Sequence, residues 1–171
     1  RFDSTELDCK TLLVIGFGRI GRRVAELAKA FGMKVTAFDP YVSPEQATAL
    51  GVGRATDMNM ALAVADYVSV HLPGGNGPLI GVGELALMKP SAIIVNAARG
   101  GIIDEAALDT ALRNRRLRAA ALDVLMQEPP AADHPLLSNP HITISPHNAG
   151  LTEECAMRMG LSSAQNILDM F

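Results

Sequence analysis

Short apolar runs and longer stretches of helical periodicity alternate along this chain. Thr11 to Ile15 is apolar and β-rich without polar alternation, as a parallel strand covered on both faces should be. From Arg19 the apolar residues Ile20, Val24, Leu27, Ala28 and Phe31 fall at helical spacing, and Gly32 marks a stop. Lys34 to Phe38 reads as the next strand, broken at once after Asp39 by Pro40. Further helices are predicted over Asp57–Ala65, Gly83–Met88, from a capping Asp104 to Asn114, and over Thr152–Phe171. Further strands are predicted at Asp66–Val70, Ser91–Ala97, Leu117–Asp123 and His141–Ser145, with an irregular Pro-rich stretch from Glu128 to Pro140. Strand and helix in alternation predict an α/β fold with a parallel sheet, filling residues 1–171 as one domain.

The first strand opens directly into Gly16-Phe-Gly-Arg-Ile-Gly21, and Asp39 ends the second strand. In that context the glycine pattern is the footprint of a Rossmann-type, doubly wound sheet that binds a dinucleotide. Gly16 permits the tight turn, Gly18 lets the backbone approach a pyrophosphate, and Gly21 lets the helix lie close to the strand. The amides of Arg19 and Ile20 then lie at a helix N-terminus, which favours phosphate oxygens. Asp39 can accept hydrogen bonds from both ribose hydroxyls of NAD. It would repel the 2′-phosphate of NADP, and Tyr41, Val42 and Ser43 offer no arginine to offset that. NAD is the predicted cofactor.

Composition narrows the class. The chain has 171 residues, 49% of them apolar, enough to bury a core. A net charge of −3 and a pI near 5.8 give no reason to expect nucleic acid. Arg113, Arg115, Arg116 and Arg118 cluster at a helix C-terminus and read as a solvated end that suits the dipole. Cys9 and Cys155 are far apart, so no disulfide framework and no metal site is expected. No apolar stretch is long enough to span a bilayer, so no membrane role is expected and the cytoplasm is the predicted compartment. The chain does not open on Met and reads as a piece of something longer.

In open α/β sheets ligands sit beyond the carboxyl ends of the strands. Arg99, Asp123, Glu128 and His147 all fall at or just past such ends. A guanidinium at Arg99, before Gly100-Gly101, can clamp a carboxylate bidentately and polarise a neighbouring carbonyl. An imidazole at His147 is the natural proton donor or acceptor when hydride moves at a carbonyl carbon. Glu128, before Pro129-Pro130, can hydrogen-bond that imidazole, fix its tautomer and favour its charged form. His71, His134 and His141 receive no catalytic role.

Gly16–Gly21, His71-Leu72-Pro73, Asn96-Ala-Ala-Arg-Gly-Gly-Ile-Ile-Asp-Glu105, Asp123 with Glu128-Pro129, and Pro146-His-Asn-Ala-Gly150 together resemble the D-isomer-specific 2-hydroxyacid dehydrogenases. The resemblance covers nearly the whole chain, in order and spacing, and phosphoglycerate-type members are among those it looks most like. It implies the single cofactor domain of a normally two-domain enzyme, whose substrate is a small 2-hydroxy or 2-oxo acid. It implies catalysis by Arg99, Glu128 and His147. It also implies pyrophosphate contacts at Arg19 and Ile20, adenine-side contacts at Asp39, Leu72 and Pro73, and nicotinamide-side contacts at Ala97, Ala98, Arg99 and Asp123. His147 and Gly150 would close the site. Formate dehydrogenase, a relative, pairs its His with Gln, so Glu128 favours a hydroxy acid. After Pro73 the family has a longer segment, whereas Gly74-Gly-Asn-Gly77 is short, a departure expected to touch adenine-side binding rather than chemistry. Phe2–Leu7 and the Thr152 helix would be the ends of segments connecting to the other domain. The family also suggests a homodimer, and the corepressor C-terminal binding protein, which resembles it, offers an alternative role as an NAD-sensing interaction module.

Overall fold

Strand β1 (Thr11–Ile15) sits inside the sheet with both faces covered: Leu13 and Ile15 enter one apolar cluster, Leu12 and Val14 the other. This explains its unbroken apolar run, since a parallel strand needs helices on both sides. The computed structural model describes residues 4–75 and 77–170. Phe2 and Asp3 of the predicted connecting segment, Asn76 of the glycine loop, and Phe171 at the predicted helix end lie outside them.

Around β1 stand β2 (Lys34–Phe38), β3 (Gly53–Arg54), β4 (Tyr67–Val70), β5 (Ile93–Asn96), β6 (Ala119–Leu122) and β7 (Ile142–Ile144). All pairs are parallel, in the spatial order β3-β2-β1-β4-β5-β6-β7. Helices α1 (Arg19–Ala30) and α2 (Pro44–Ala49) cover one face. Helices α3 (Met58–Val64), α4 (Val82–Leu87) and α5 (Glu105–Arg113) cover the other. The sheet is therefore doubly wound, and the order in which strands are added reverses between β1 and β4, where such folds open a crevice. Helix α6 (Glu153–Leu168) follows β7 and buries none of its residues.

The predicted strands and helices recur within one to three residues at their ends, and the caps act as expected. Asp104 Oδ1 accepts from the Ala107 amide at 2.9 Å and Thr152 Oγ1 from the Cys155 amide at 3.1 Å. Helix α2 and the two-residue β3 were not predicted. Their signal is short but present: Ser43 and Gln46 form a reciprocal capping box, with Pro44 in the first turn.

Helix α1 forms where the apolar spacing predicted it. The sheet-facing stripe of α1 is Gly21, Ala25 and Ala28, with Val24 half-buried, whereas Ile20, Leu27 and Phe31 are turned outward. The close approach at Gly21 causes this: a Cβ there would stand 2.1 Å from the Gly16 carbonyl oxygen, so only small side chains fit beneath the helix. All four arginines of the cluster are exposed, as expected of a solvated end, and three of them also bond neighbours. Arg113 pairs with Asp109 at 2.8 Å and donates to Pro135 O and Ser138 Oγ, Arg116 reaches Ala86 O, and Arg118 reaches Thr5 Oγ1. These cations tie the end of α5 to its neighbours. No helix among the described residues is long and apolar enough to cross a membrane.

Candidate functional site

The turn after β1 is built as its glycines require. Gly16 takes φ +90°, and a Cβ there would meet the His71 carbonyl oxygen at 2.6 Å and the Leu72 side chain at 2.9 Å. Leu72 thus stands against the first turn, where the two halves of the sheet meet, and Pro73 follows it in the chain. Gly18 is the N-cap of α1 and has nothing within 4 Å of where its Cβ would be. Arg19 and Ile20 open the helix beside it. Gly18, Arg19, Ile20, Arg23, Val24 and His71 line a crevice of about 560 Å³. An open backbone cradle at a helix N-terminus, with Ile20 and Val24 beside it, fits a phosphate-bearing dinucleotide on charge and on space. His71 itself bonds Ser69 Oγ through Nε2 at 2.8 Å, and burial pushes its imidazole pKa down, which favours the uncharged ring.

Asp39 directly follows β2 and closes over the turn. Its Oδ2 accepts from the Phe17 amide at 2.7 Å and its Oδ1 from the Tyr41 amide at 2.8 Å. Each oxygen keeps acceptor capacity for one further donor. Phe17 is a site residue that sequence reasoning passed over. It is buried, its amide orients Asp39, and its ring and carbonyl hold Arg22.

At the end of β5, Asn96 is 2% exposed. It donates from Nδ2 to the Arg99 carbonyl at 2.9 Å and accepts at Oδ1 from the Ala98 amide at 3.0 Å. This side chain shapes the Ala97-Ala98-Arg99 turn, and Asn before a turn was the signal available for it. Arg99 is exposed, donates to the Ala98 carbonyl at 2.6 Å, and lays its Cβ and Cγ 3.7 Å from the Cβ position of Gly74. The glycine loop, read as an adenine-side feature, therefore reaches Arg99.

At the ends of β6 and β7, Asp123 and His147 belong to one hydrogen-bonded turn. Asp123 Oδ1 accepts from Ser145 Oγ at 2.6 Å and the Asn148 amide at 3.0 Å, and Oδ2 accepts from the Ala149 amide at 2.9 Å. Burial alone would raise the Asp123 pKa. The hydrogen bonds from Ser145, Ala149 and Asn148 and the neighbouring His147 outweigh burial and hold it below the usual carboxylate value. His147 sits between these donors at φ +53°, a conformation that costs a non-glycine residue about 1–2 kcal/mol.

His147 Nδ1 lies 2.6 Å from Glu128 Oε2, and Glu128 Oε1 accepts from the Leu125 amide at 2.8 Å. The bond to His147, then that to Leu125, holds the Glu128 carboxyl below its ordinary pKa. An ionised Glu128 fixes His147 with its proton on Nδ1 and leaves Nε2 free to exchange a proton with a bound molecule. The half-exposed pair lines a cavity of about 430 Å³ with apolar walls from Leu125, Pro129, Pro130, Leu137 and Ile144. Gly150 ends the turn with nothing within 4 Å of where its Cβ would be.

The family model for the D-isomer specific 2-hydroxyacid dehydrogenase NAD binding domain matches residues 1–149. The D-3-phosphoglycerate dehydrogenase of Methanocaldococcus jannaschii is 46% identical over 169 residues, covering 98% of this chain and 32% of that protein. The glyoxylate reductase of Aeropyrum pernix is 42% identical over 165 residues, covering 95% and 49%. The crystal structure of D-lactate dehydrogenase with NAD+ from Lactobacillus jensenii superposes with a TM-score of 0.82 at 35% identity, covering 91% of this chain and 51% of that one. The chain thus spans a third to a half of the length of these relatives.

Proposed function

This chain belongs to the D-isomer specific 2-hydroxyacid dehydrogenases, as their NAD-binding domain, and from that premise we propose that the protein carrying it interconverts a D-2-hydroxy acid and its 2-oxo acid. Residues 1–171 would be the cofactor domain with the ends of its connecting segments, the rest of the protein supplying the substrate domain. The likeness to a D-3-phosphoglycerate dehydrogenase makes D-3-phosphoglycerate the first substrate to try.

The observation that carries the reading is the 2.6 Å bond between His147 Nδ1 and Glu128 Oε2. In the oxidative direction His147 Nε2 takes the hydroxyl proton as the carbon gives up hydride and becomes a carbonyl. In reverse, Nε2–H returns the proton to the carbonyl oxygen. Glu128 stabilises the imidazolium that forms between these events. Arg99 holds the substrate carboxylate and polarises the adjoining carbonyl. The bound nicotinamide supplies the hydride acceptor or donor. The amides of Arg19 and Ile20 hold the pyrophosphate, and Asp39 offers one free acceptor site on each oxygen to the adenine ribose. A 2′-phosphate there would face an uncompensated carboxylate, so NAD is the proposed coenzyme. Leu72 and Pro73 would line the adenine side, Ala97 and Ala98 the nicotinamide side. Asp123 would reach the carboxamide only through acceptor capacity left over from its turn.

The test is kinetic, on the protein that carries this chain. His147→Ala is expected to lower kcat by about 10²–10⁴-fold while NADH affinity, measured by calorimetry, changes little. Arg99→Ala is expected to raise KM as well. NADPH should bind far more weakly than NADH, and the isolated 171-residue chain should bind NADH yet turn over poorly. Retained turnover in His147→Ala refutes the acid–base assignment. NADH-dependent dimerisation without turnover would mark an NAD-sensing module instead.

A further inference from the structure

We propose that Glu105, outside the Arg99–Glu128–His147 set, is a positioning residue that fixes the His147–Glu128 pair in register with Arg99; this rests on the proton-transfer role given to that pair. Glu128 lies on the irregular segment after β6, which has no strand or helix of its own until Pro135. Something outside the segment must therefore hold Glu128 in place.

One carboxylate inside the segment and one outside it grip adjoining amides. Glu128 Oε1 takes the Leu125 amide at 2.8 Å, and Glu105 Oε1 takes the Met126 amide at 2.5 Å. The Leu125–Met126 peptide between them is pressed against the Arg99 turn: a Cβ on Gly100 would lie 2.0 Å from the Leu125 carbonyl oxygen and 2.7 Å from the Met126 nitrogen. That peptide is thus the shared wall between the guanidinium's turn and the carboxylate's loop. Glu105, in the first turn of α5, pins it from the helix side.

The second oxygen of Glu105 secures the far end of the same segment. His134 Nε2 lies 3.1 Å from Glu105 Oε2, and His134 Nδ1 accepts from the Leu136 amide at 3.4 Å. With Nδ1 accepting from the Leu136 amide, the ring directs its Nε2–H at Glu105, and both nitrogens have partners. One side chain therefore anchors both Met126 and His134, on either side of Glu128. Both side chains of this anchor are mostly buried, Glu105 at 16% and His134 at 23% exposure. The N-terminal position on α5 favours the Glu105 charge as well.

Glu105 spends its two oxygens on Met126 and His134, so its loss should damage chemistry through geometry. A displacement of about 1 Å at a reacting group can cost on the order of 100-fold in rate. Glu105→Ala in the protein that carries this chain is expected to lower kcat for 2-oxo acid reduction by at least about tenfold. The Kd for NADH should stay within about twofold, because Asp39 and the start of α1 are held by other residues. The direct readout is the proton NMR resonance of His147 Nδ1–H hydrogen-bonded to Glu128. It should broaden or vanish in Glu105→Ala, and vanish in His147→Ala, which assigns it.

Glu105→Gln is the milder variant. Its carbonyl still accepts from Met126, but its NH2 faces His134 Nε2–H, so it should fold and show partial recovery of both kcat and the resonance. His134→Ala, which spares the Met126 bond, should fall between wild type and Glu105→Ala. Retention of wild-type kcat and of the His147 resonance in Glu105→Gln and His134→Ala, or in a folded Glu105→Ala, overturns the positioning role and leaves Glu105 a stability residue. Loss of the resonance in Glu105→Ala with turnover surviving His147→Ala would instead refute the proton-transfer role while keeping the geometric one.

Discussion

Replacing Asp123 by Asn removes one negative charge at constant volume and tests how the His147 turn is held. The carboxylate accepts three donors: Ser145 Oγ and the Asn148 amide on one oxygen, the Ala149 amide on the other. An amide side chain has only one oxygen. If it takes the Ser145 and Asn148 bonds, its NH2 confronts the Ala149 N–H. If it flips, the NH2 suits Ser145 but confronts Asn148. Either way one backbone amide loses its acceptor. Hydrogen bonds to charged groups contribute about 1.5–3 kcal/mol each. Asn148 and Ala149 are exposed, so a freed amide finds water, and we expect the lower part of that range, about 2 kcal/mol. For a chain of this size that is a fall of roughly 4–8 °C in thermal midpoint. The loss also rivals the roughly 1–2 kcal/mol that His147 spends at φ +53°. The turn should therefore relax, and kcat for 2-oxo acid reduction should fall further than NADH affinity. Urea denaturation followed by circular dichroism measures the stability, and steady-state kinetics the rest. A stability within about 0.5 kcal/mol of wild type, with kcat unchanged, would show that Asp123 does not hold the turn.

Two further outcomes follow from the same geometry. Gly21→Ala puts a Cβ 2.1 Å from the Gly16 carbonyl oxygen and 3.1 Å from Val14 Cγ1, so α1 must lift from β1. It should destabilise by about 1–3 kcal/mol and weaken NADH binding in a calorimetric titration; wild-type values for both would refute the close-approach argument. Acid should destabilise the fold through Asp66, Asp109 and Asp123, each with its pKa lowered from 3.8. For Asp66 the main cause is the bond from Lys89. For Asp109 and Asp123 burial works the other way but hydrogen bonds outweigh it. Below 3.8 the unfolded chain takes up protons that the folded carboxylates still refuse. The stabilisation is thus complete above that value, shrinks as pH falls, and is gone below the depressed folded values. Urea midpoints that stay flat from neutrality to below 3.8 would contradict this.

The candidate cofactor half of the site could be proposed from the sequence because its chemistry is local. Gly16, Gly18, Gly21 and the Arg19 and Ile20 amides lie within one strand–turn–helix unit, and Asp39 follows at the end of the next strand. Arg99, Glu128 and His147 were found from residue type at strand ends, and Glu128 and His147, nineteen positions apart, are bonded as expected. Phe17, Asn96 and the Glu105–His134 anchor escaped notice because their roles consist of bonds to backbone or to distant side chains. No spacing along the chain announces such bonds.

The sequence by itself determined the alternation of strands and helices, the doubly wound class and the family. Each follows from periodicity or from motifs spanning a few residues, and these act through local sterics and backbone hydrogen bonding. Only the tertiary structure decided which face of α1 meets the sheet, where close approach excluded Ile20, Leu27 and Phe31 in favour of Gly21, Ala25 and Ala28. It also decided that Asp123 holds the His147 turn, and that one peptide joins the Arg99 and Glu128 loops. Those outcomes depend on which backbones come within hydrogen-bonding or van der Waals distance once the sheet has closed, and linear order does not encode that distance.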